Sequence, residues 1–281
     1  MDERGQKQTG GLYQSPALVV MVAMTAAWLL GLPFVWHGRI GSTWLISGEV
    51  VLAGTLIHVA TSFWYGTFEV SLRDASRLLL LAVGIGWAAE ACGVRTGFPF
   101  GSRYVYHEAF RPQLPGEVPV AIPLAWYVLV RLPVVLLRRS EMPLWSKSML
   151  CGIFMAGCAL LLDPLGQSIG LWKFAIDDGI VLQATNALGW GSVSFLITAC
   201  YFGSAKHNIR IPTSAQRQLE VLLLTMAGFF LLLALAAGAS RLNAIGPLTI
   251  SLALMLPCWI CWWRTFQRLA TFDALVQEDA R

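Results

Sequence analysis

Long apolar runs separated by shorter polar segments dominate the pattern of this chain. Each run is continuous and lacks the alternation of apolar and polar residues that the strands of a membrane β-barrel show. A helix needs about 20 mostly apolar residues to cross about 30 Å of hydrocarbon. The pattern therefore predicts an all-α, polytopic transmembrane helix bundle of about seven or eight helices, with spans at residues 16–36, 44–65, 75–91, 119–138, 147–165, 187–203, 218–239 and 243–263.

Composition supports a protein that is embedded in lipid. Hydrophobic residues make up 56% of the 281 residues, and charged residues make up 13%, whereas soluble domains carry about 25% charged residues. The net charge of +4 is spread along the chain rather than concentrated in one stretch. We therefore expect membrane lipid as a partner and no nucleic acid.

The distribution of positive charge predicts the orientation in the membrane. One bundle domain at residues 16–264 lies between an N-terminal tail, 1–15, and a C-terminal tail, 265–281. With eight spans, the two tails and the connections on their side carry 13 Lys and Arg residues, against six on the opposite side. Because cytoplasmic loops are enriched in Lys and Arg, we expect both termini to be cytoplasmic.

Two connections are unusually long and share the non-cytoplasmic face in this topology. They cover residues 92–118 and 164–185, and both are rich in aromatic residues and glycine. Long connections in a compact domain are usually either functional or disordered, and aromatic residues argue against disorder. We expect both loops to fold back over the helix ends and to cover a cavity.

Two acidic residues end predicted spans on this same face. Glu90 ends the third span and Asp163 ends the fifth, and ionisable residues within the membrane are costly and usually functional. The partial negative charge at a helix carboxyl end and an apolar environment both favour the neutral carboxyl group, which suits a general acid. The alternative is that each acid pairs with an arginine of the outer loops, such as Arg95 or Arg103.

Sequence motifs for metal ions and cofactors are missing from the chain. Cys258 and Cys261 have CxxC spacing, but they lie in an apolar run and are better explained as small residues of a membrane helix. There is no HExxH, GxGxxG or Walker sequence. We therefore expect no cofactor and no metal.

A longer pattern resembles a known family. It comprises Glu90-x-x-Gly93-x-x-Thr96-Gly97-x-Pro99-Phe100-Gly101-x-x-Tyr104-x-Tyr106, followed by Val118-Pro119 and Trp126. This string is similar to the first signature of the integral-membrane carotenoid biosynthesis proteins, which include the gamma-carotene and bisanhydrobacterioruberin hydratases. A second, looser signature of that family resembles Asp163-Pro164, Gly170-x-Trp172 and Asn186-x-x-Gly189-Trp190.

The resemblance implies a multi-pass enzyme of the cytoplasmic membrane of a prokaryote. The implied reaction is a hydro-lyase reaction that adds water to the terminal (1,2) double bond of an acyclic carotenoid, a C40–C50 polyene. It implies that Glu90 and Asp163 act as an acid and a partner acid or base, and that Asn186 orients a water molecule. Aromatic side chains would bind the substrate and attract the developing cation, namely Phe100, Tyr104, Tyr106, Trp126, Trp172 and Trp190.

Other functions stay open at this stage. A transporter or proton-relay protein would use the same acids, but it would be expected to contain internal repeats, and none is evident. Another isoprenoid-modifying enzyme, such as a membrane prenyltransferase, would need two aspartate-rich clusters for magnesium and diphosphate. The chain offers only Asp163 and the pair Asp177-Asp178. A structural membrane protein is a further alternative, and association with other carotenoid enzymes is left open.

Overall fold

The computed structural model describes residues 48–168, 170–176, 178–204 and 245–279. The helices in these ranges are α1 Gly48–Glu69, α2 Leu72–Thr96, α3 Ala121–Leu137, α4 Leu144–Ser168, α5 Ile180–Gly203 and α6 Ile245–Asp279. The short strands are β1 Tyr104–Tyr106, β2 Gln113–Leu114, β3 Val118–Pro119 and β4 Trp172–Phe174. The predicted spans at 16–36 and 218–239 lie outside the described residues.

Several described helices have the length and apolarity of membrane spans. Four stretches are long enough to cross the hydrocarbon, namely Leu72–Thr96, Leu144–Pro164, Ile180–Gly203 and Leu248–Thr265. Two shorter apolar stretches, Leu52–Trp64 and Ala121–Leu137, accompany them. The chain is therefore a mainly helical membrane protein, as its hydropathy predicted. Because two of the predicted spans lie outside the described residues, the total of seven or eight spans stays a prediction.

Glycines allow the central helices to pack closely. A Cβ atom at Gly152 of α4 would lie 2.8 Å from the carbonyl oxygen of Gly191 in α5, so only glycine permits this approach. Helix α6 packs on another part of α4, where the Ser251 hydroxyl donates a hydrogen bond of 2.6 Å to the carbonyl oxygen of Gly157. Small residues and interhelical hydrogen bonds are the usual means of helix association in lipid.

The helices extend beyond the predicted spans, which corrects the boundaries of both loops. Helix α2 continues past Glu90 and ends at Thr96, where Gly97 adopts a left-handed conformation with φ of 84°. Helix α4 continues through Pro164 to Ser168, and α5 begins at Ile180. The connections are therefore 97–120 and 169–179 rather than 92–118 and 164–185. Hydropathy marks the part of a helix that lies in hydrocarbon, whereas the helical hydrogen bonds continue into the polar interface.

Helix α6 also continues beyond the last predicted span. The sequence analysis assigned residues 265–281 to a cytoplasmic tail, and α6 runs without a break into this segment as far as Asp279. The part of α6 beyond the apolar window, which ends at Thr265, contains charged residues such as Arg268 and stays helical.

The two long connections pair with each other through backbone hydrogen bonds. Strand β1 follows α2 and β4 follows α4, and the two strands are antiparallel. Their register places Tyr104 opposite Phe174, Val105 opposite Lys173 and Tyr106 opposite Trp172. We call this two-stranded unit, β1 with β4, the roof ribbon. A second small pair, β2 with β3, leads into α3.

A buried ionic cluster joins α1 and α3 at the opposite end of the bundle. Arg131 Nη2 lies 3.0 Å from Glu69 Oε2, and Arg138 contacts the same carboxylate oxygen. All three residues are buried. The cluster fixes the carboxyl-terminal ends of two parallel helices, far along α3 from the roof ribbon.

Candidate active site beneath the roof ribbon

A cavity of about 240 Å³ lies beneath the roof ribbon. Helices α1 to α5 and both strands of the ribbon contribute residues to its wall. The structure brings together all of the candidate residues of the sequence analysis around it: Glu90, Asp163, Asn186, Phe100, Tyr104, Tyr106, Trp126, Trp172 and Trp190. Residues that are widely separated in sequence therefore share one site.

Glu90 is buried in α2 and accepts three hydrogen bonds from neutral side chains. Tyr104 Oη and Tyr106 Oη donate to its Oε2 at 2.5 and 2.6 Å. Trp126 Nε1 donates to its Oε1 at 2.8 Å. Within the described residues no cation pairs with Glu90, so the alternative of a loop arginine as its partner is wrong for this part of the chain.

The spacing of the two tyrosines explains how both reach Glu90. Side chains alternate between the two faces of a strand, so residues two apart point in the same direction. Tyr104 and Tyr106 face the cavity, whereas Val105 between them is 61% exposed. Burial raises the pKa of both phenols, and the neighbouring Glu90 carboxyl raises it further. The phenols therefore stay protonated and act as hydrogen-bond donors at neutral pH.

Asp163 is buried in α4 and is bonded to the other strand of the ribbon. Trp172 Nε1 of β4 donates to its Oδ1 at 2.8 Å. Gln167, one helical turn further along α4, donates from Nε2 to Oδ2 at 3.2 Å. The absence of a side chain at Gly166 makes room for the Trp172 indole, because a Cβ atom there would overlap the ring.

Asn186 of α5 brings an amide group to the cavity. The residue is only 2% exposed, and its side chain forms no hydrogen bond with any other residue in the described ranges. A buried polar group without a partner is costly. The amide can donate to and accept from a bound water molecule or ligand, so this part of the cavity is suited to a polar guest.

Aromatic rings form most of the remaining wall. Trp126 and Trp190 have ring centroids 5.1 Å apart, and Tyr104 and Phe174 have centroids 5.3 Å apart. Glycines make room for these rings, since a Cβ atom at Gly93 would lie 2.6 Å from the Phe100 ring. Such a wall accepts an apolar ligand and presents π faces to positive charge.

Sequence reasoning missed several residues of the wall, and it also missed Gln167, which bonds Asp163 without lining the cavity. Gln167 could have been found, because it lies four residues after Asp163 on the same helical face. Phe174 could also have been found from its strand spacing to Trp172. The remaining residues have no motif to mark them: Thr55, Phe110, Ala121, Ile122, Ala125, Leu129, Leu162, Gly166 and Leu171.

The described residues do not include a group of three or more His, Cys, Asp and Glu side chains that could hold a metal ion. The polar groups that meet in the cavity are two carboxyl groups, phenols, indoles, the Asn186 amide and the Thr55 hydroxyl. These groups can transfer protons, bind water and stabilise a cation.

The fold and the cavity define a polytopic helical membrane protein with two buried carboxyl groups in an aromatic site. A comparison with known families confirms the resemblance seen in the sequence. The model of the family described as "Carotenoid biosynthesis protein" matches residues 48–257, and the chain belongs to that family.

One curated relative carries an activity in its name. Bisanhydrobacterioruberin hydratase from Haloarcula japonica is 29% identical to this chain over 175 residues. The match covers 55% of this chain and 59% of that protein, so the chain aligns with less than two thirds of its relative. No solved structure matches the chain.

Proposed function

We propose that this protein is a carotenoid hydratase that adds water to the terminal (1,2) double bond of an acyclic carotenoid end. The observation that carries the proposal is the meeting of two buried carboxyl groups, Glu90 and Asp163, with the Asn186 amide in one aromatic cavity. Membership of the carotenoid biosynthesis family and the hydratase name of the Haloarcula relative support it.

The chemistry of hydration matches the groups in the cavity. An acid protonates the trisubstituted alkene, and the new C–H bond leaves a tertiary cation on the neighbouring carbon. A water molecule attacks that carbon, and a base takes its proton to give a tertiary alcohol. We assign the two proton transfers to Glu90 and Asp163, and we assign the orientation of the water to Asn186.

The aromatic wall would stabilise the cation while it exists. The candidates are the rings of Phe100, Tyr104, Tyr106, Trp126, Trp172 and Trp190, all of which line the cavity. One cation–π contact contributes roughly 0.5–2 kcal/mol. Several rings around one carbon would therefore lower the barrier to protonation without a metal ion or redox cofactor, neither of which this reaction needs.

The size of the cavity suits one end of the substrate. Sites for drug-sized ligands measure about 300–1,000 Å³, and this cavity of about 240 Å³ is far too small for a whole C40–C50 polyene. Ile122, Ala125 and Leu129 line it from one face of α3. We propose that the polyene leaves the cavity along this apolar face towards the lipid.

The location follows from the same proposal. A carotenoid dissolves in the membrane, so the enzyme would take its substrate from the surrounding lipid. The bias of Lys and Arg between the two faces supports cytoplasmic termini in the cytoplasmic membrane of a prokaryote, with the roof ribbon on the opposite face.

The proposal is tested by expression in a lycopene-producing host. The expected result is a pigment heavier than lycopene by one water, with the chromophore intact and a tertiary alcohol at the chain end. The control is the double variant Glu90→Gln with Asp163→Asn, which should fold and give no product. Glu141→Gln, at an exposed position, is the matched variant that should stay active. Failure of the wild-type protein to hydrate every acyclic carotenoid offered would overturn the proposal, and transport would then be the next function to test.

A further inference from the structure

Gln167 gives Asp163 a hydrogen-bond partner that suits either of its protonation states. The two residues are one turn apart on α4, and the Gln167 Nε2 atom lies 3.2 Å from Asp163 Oδ2. A side-chain amide has a donor end and an acceptor end. Rotation of this amide by half a turn would replace the N–H donor with a carbonyl oxygen. Gln167 can therefore donate to an Asp163 carboxylate and accept from an Asp163 carboxylic acid.

Glu90 has a different set of partners. Trp126 Nε1 is only a donor, and it occupies Oε1. The two phenols donate to Oε2 at 2.5 and 2.6 Å. Short hydrogen bonds to a carboxylate are assisted by its charge and weaken when the group is neutral. Burial disfavours that charge, whereas the three donors on one carboxyl group favour it.

We propose that Asp163 is the proton donor and Glu90 the proton acceptor of the hydration, and that Gln167 is a positioning residue that holds Asp163 throughout its change of protonation state. This assignment rests on the proposed hydratase function. It goes further because it gives the two carboxyl groups different tasks and adds a residue that no signature contains.

The proposed step is balanced in atoms and charge. The Asp163 carboxylic acid gives its proton to the CH carbon of the terminal double bond, whose π electron pair forms the new C–H bond. The tertiary carbon becomes a cation and Asp163 becomes a carboxylate. The water oxygen bonds to the cation while Glu90 takes one water proton, which leaves the alcohol. The cycle closes when Glu90 releases a proton and Asp163 regains one, so one water is consumed for each double bond.

The two amide variants separate the two tasks in deuterated water. In Glu90→Gln, Asp163 can still protonate the alkene, but the cation returns to an alkene because Asp163 takes a proton back. We expect deuterium in the recovered alkene, and little alcohol. In Asp163→Asn, we expect neither deuterium nor alcohol. The substrate is lycopene in detergent or lipid nanodiscs, and mass spectrometry measures both products.

Each result of this experiment bears on the assignment. Deuterium uptake by Asp163→Asn but not by Glu90→Gln would reverse the two roles and overturn the proposal. Loss of uptake in both variants, or its retention in both, would overturn the division of tasks. The wild-type protein is measured in parallel, and an absence of alcohol from the wild type would instead overturn the hydratase function on which the assignment rests.

Gln167→Leu tests the positioning role by its kinetic signature. This variant keeps the size of the side chain and removes both ends of the amide. We expect kcat to fall by roughly tenfold, the factor that corresponds to one lost hydrogen bond of ordinary strength, with KM and the Tm unchanged. Deuterium uptake should fall in proportion to kcat, and an unchanged Tm together with an unchanged fraction of folded protein would exclude a general loss of structure as the cause. Gln183→Leu, on α5 and outside the cavity wall, is the matched control and should behave like the wild type. A Gln167→Leu variant with unchanged kcat would remove Gln167 from the mechanism.

Discussion

Tyr106 and Trp172 face each other across the roof ribbon, and each donates a hydrogen bond to a different buried carboxyl group. Tyr106 Oη bonds Glu90 Oε2 at 2.6 Å, and Trp172 Nε1 bonds Asp163 Oδ1 at 2.8 Å. Their ring centroids are 6.2 Å apart. The pairing of the two strands thus sets the positions of both acids relative to each other, although the acids belong to different helices.

The roof ribbon therefore not only covers the cavity but also supplies hydrogen-bond donors to both acids. Strand β1 carries two donors to Glu90, and strand β4 carries a donor to Asp163. A shift of one residue in the register would turn these side chains to the outer face of the ribbon, where Val105 and Lys173 now lie. The register is therefore as important to the site as the two acids themselves.

The first prediction concerns the tyrosine donors. Tyr106→Phe removes one hydrogen bond to Glu90 and keeps the ring, so we expect kcat/KM to fall by roughly 5- to 150-fold, the range that corresponds to about 1–3 kcal/mol. Steady-state hydration of lycopene by the purified protein measures this effect. Val105→Ala changes the outward-facing neighbour and should leave kcat/KM unchanged. Equal losses in both variants would show that the ribbon acts through its fold alone.

The second prediction concerns the capture of water. Asn186→Ala removes the amide that we assign to the water molecule and leaves both carboxyl groups in place. Protonation should continue while attack by water slows, so double-bond isomers of the substrate should accumulate at the expense of alcohol. Chromatography of the pigments gives the ratio of isomer to alcohol. Ser192→Ala, an exposed change on the same helix, is the control. An unchanged ratio of isomer to alcohol in Asn186→Ala would show that Asn186 does not orient the water molecule.

Part of this site could be predicted from the sequence because several of its residues lie in one string. The resemblance of the string from Glu90 to Tyr106 to the family signature marks both tyrosines as site residues, although it does not predict strand β1 or their hydrogen bonds to Glu90. The apolar runs predicted the membrane spans of the described helices. Neither inference needs any knowledge of how distant segments pack.

The rest of the site depends on tertiary packing, for which one sequence has no signal. Trp126 reaches Glu90 only because α3 presents that face to α2, and Thr55 lines the cavity only through the position of α1. The helix ends were misplaced for a related reason, since hydropathy does not distinguish a helical residue at the interface from a loop residue. Loop arginines were the alternative partners for the two acids, but in the part of the chain that the structure describes the hydrogen bonds to the Glu90 carboxyl group come from aromatic side chains.

The third prediction uses two glycines with opposite surroundings. A Cβ atom at Gly166 would overlap the Trp172 ring, whereas a Cβ atom at Gly84 would meet no atom within 4 Å. Gly166→Ala should displace the indole from Asp163, lower the Tm and reduce hydration by tenfold or more. Gly84→Ala should raise stability by about 0.5–1 kcal/mol, because alanine favours a helix interior. Thermal unfolding in detergent and lycopene hydration measure the two effects.

Comparison of the two variants separates the effect of helix propensity on stability from the effect of filling the space that the Trp172 ring occupies. Gly166→Ala gains the same helix propensity as Gly84→Ala, so a net loss would come from the displaced Trp172. If Gly166→Ala proved as stable and as active as the wild type, the indole would not need its present position. In that case the hydrogen bond from Trp172 to Asp163 would have no part in the reaction.

The last prediction concerns the ionic cluster at the other end of the bundle. Glu69 is the acceptor for two buried guanidinium groups, those of Arg131 and Arg138. Removal of one partner from a buried ion pair leaves an uncompensated charge and costs about 3–5 kcal/mol. Glu69→Ala should therefore lower the free energy of unfolding by about this amount. Asp74→Asn breaks a more exposed pair with Arg77, and should cost about 0–1 kcal/mol.

Glu69, Arg131 and Arg138 are not part of the cavity wall, so the effect of the cluster on chemistry should differ from its effect on stability. Arg131 lies two residues after Leu129 of the cavity wall, but it lies five residues, about 7.5 Å along a helix axis, after Trp126, whose indole bonds Glu90. At a temperature at which Glu69→Ala is folded, we expect its kcat for hydration to lie within about twofold of the wild-type value, because no group near the substrate has changed. A large fall in kcat with an unchanged Tm would show the reverse, namely that the charge of this cluster acts on the cavity and that the two ends of the bundle form one functional unit.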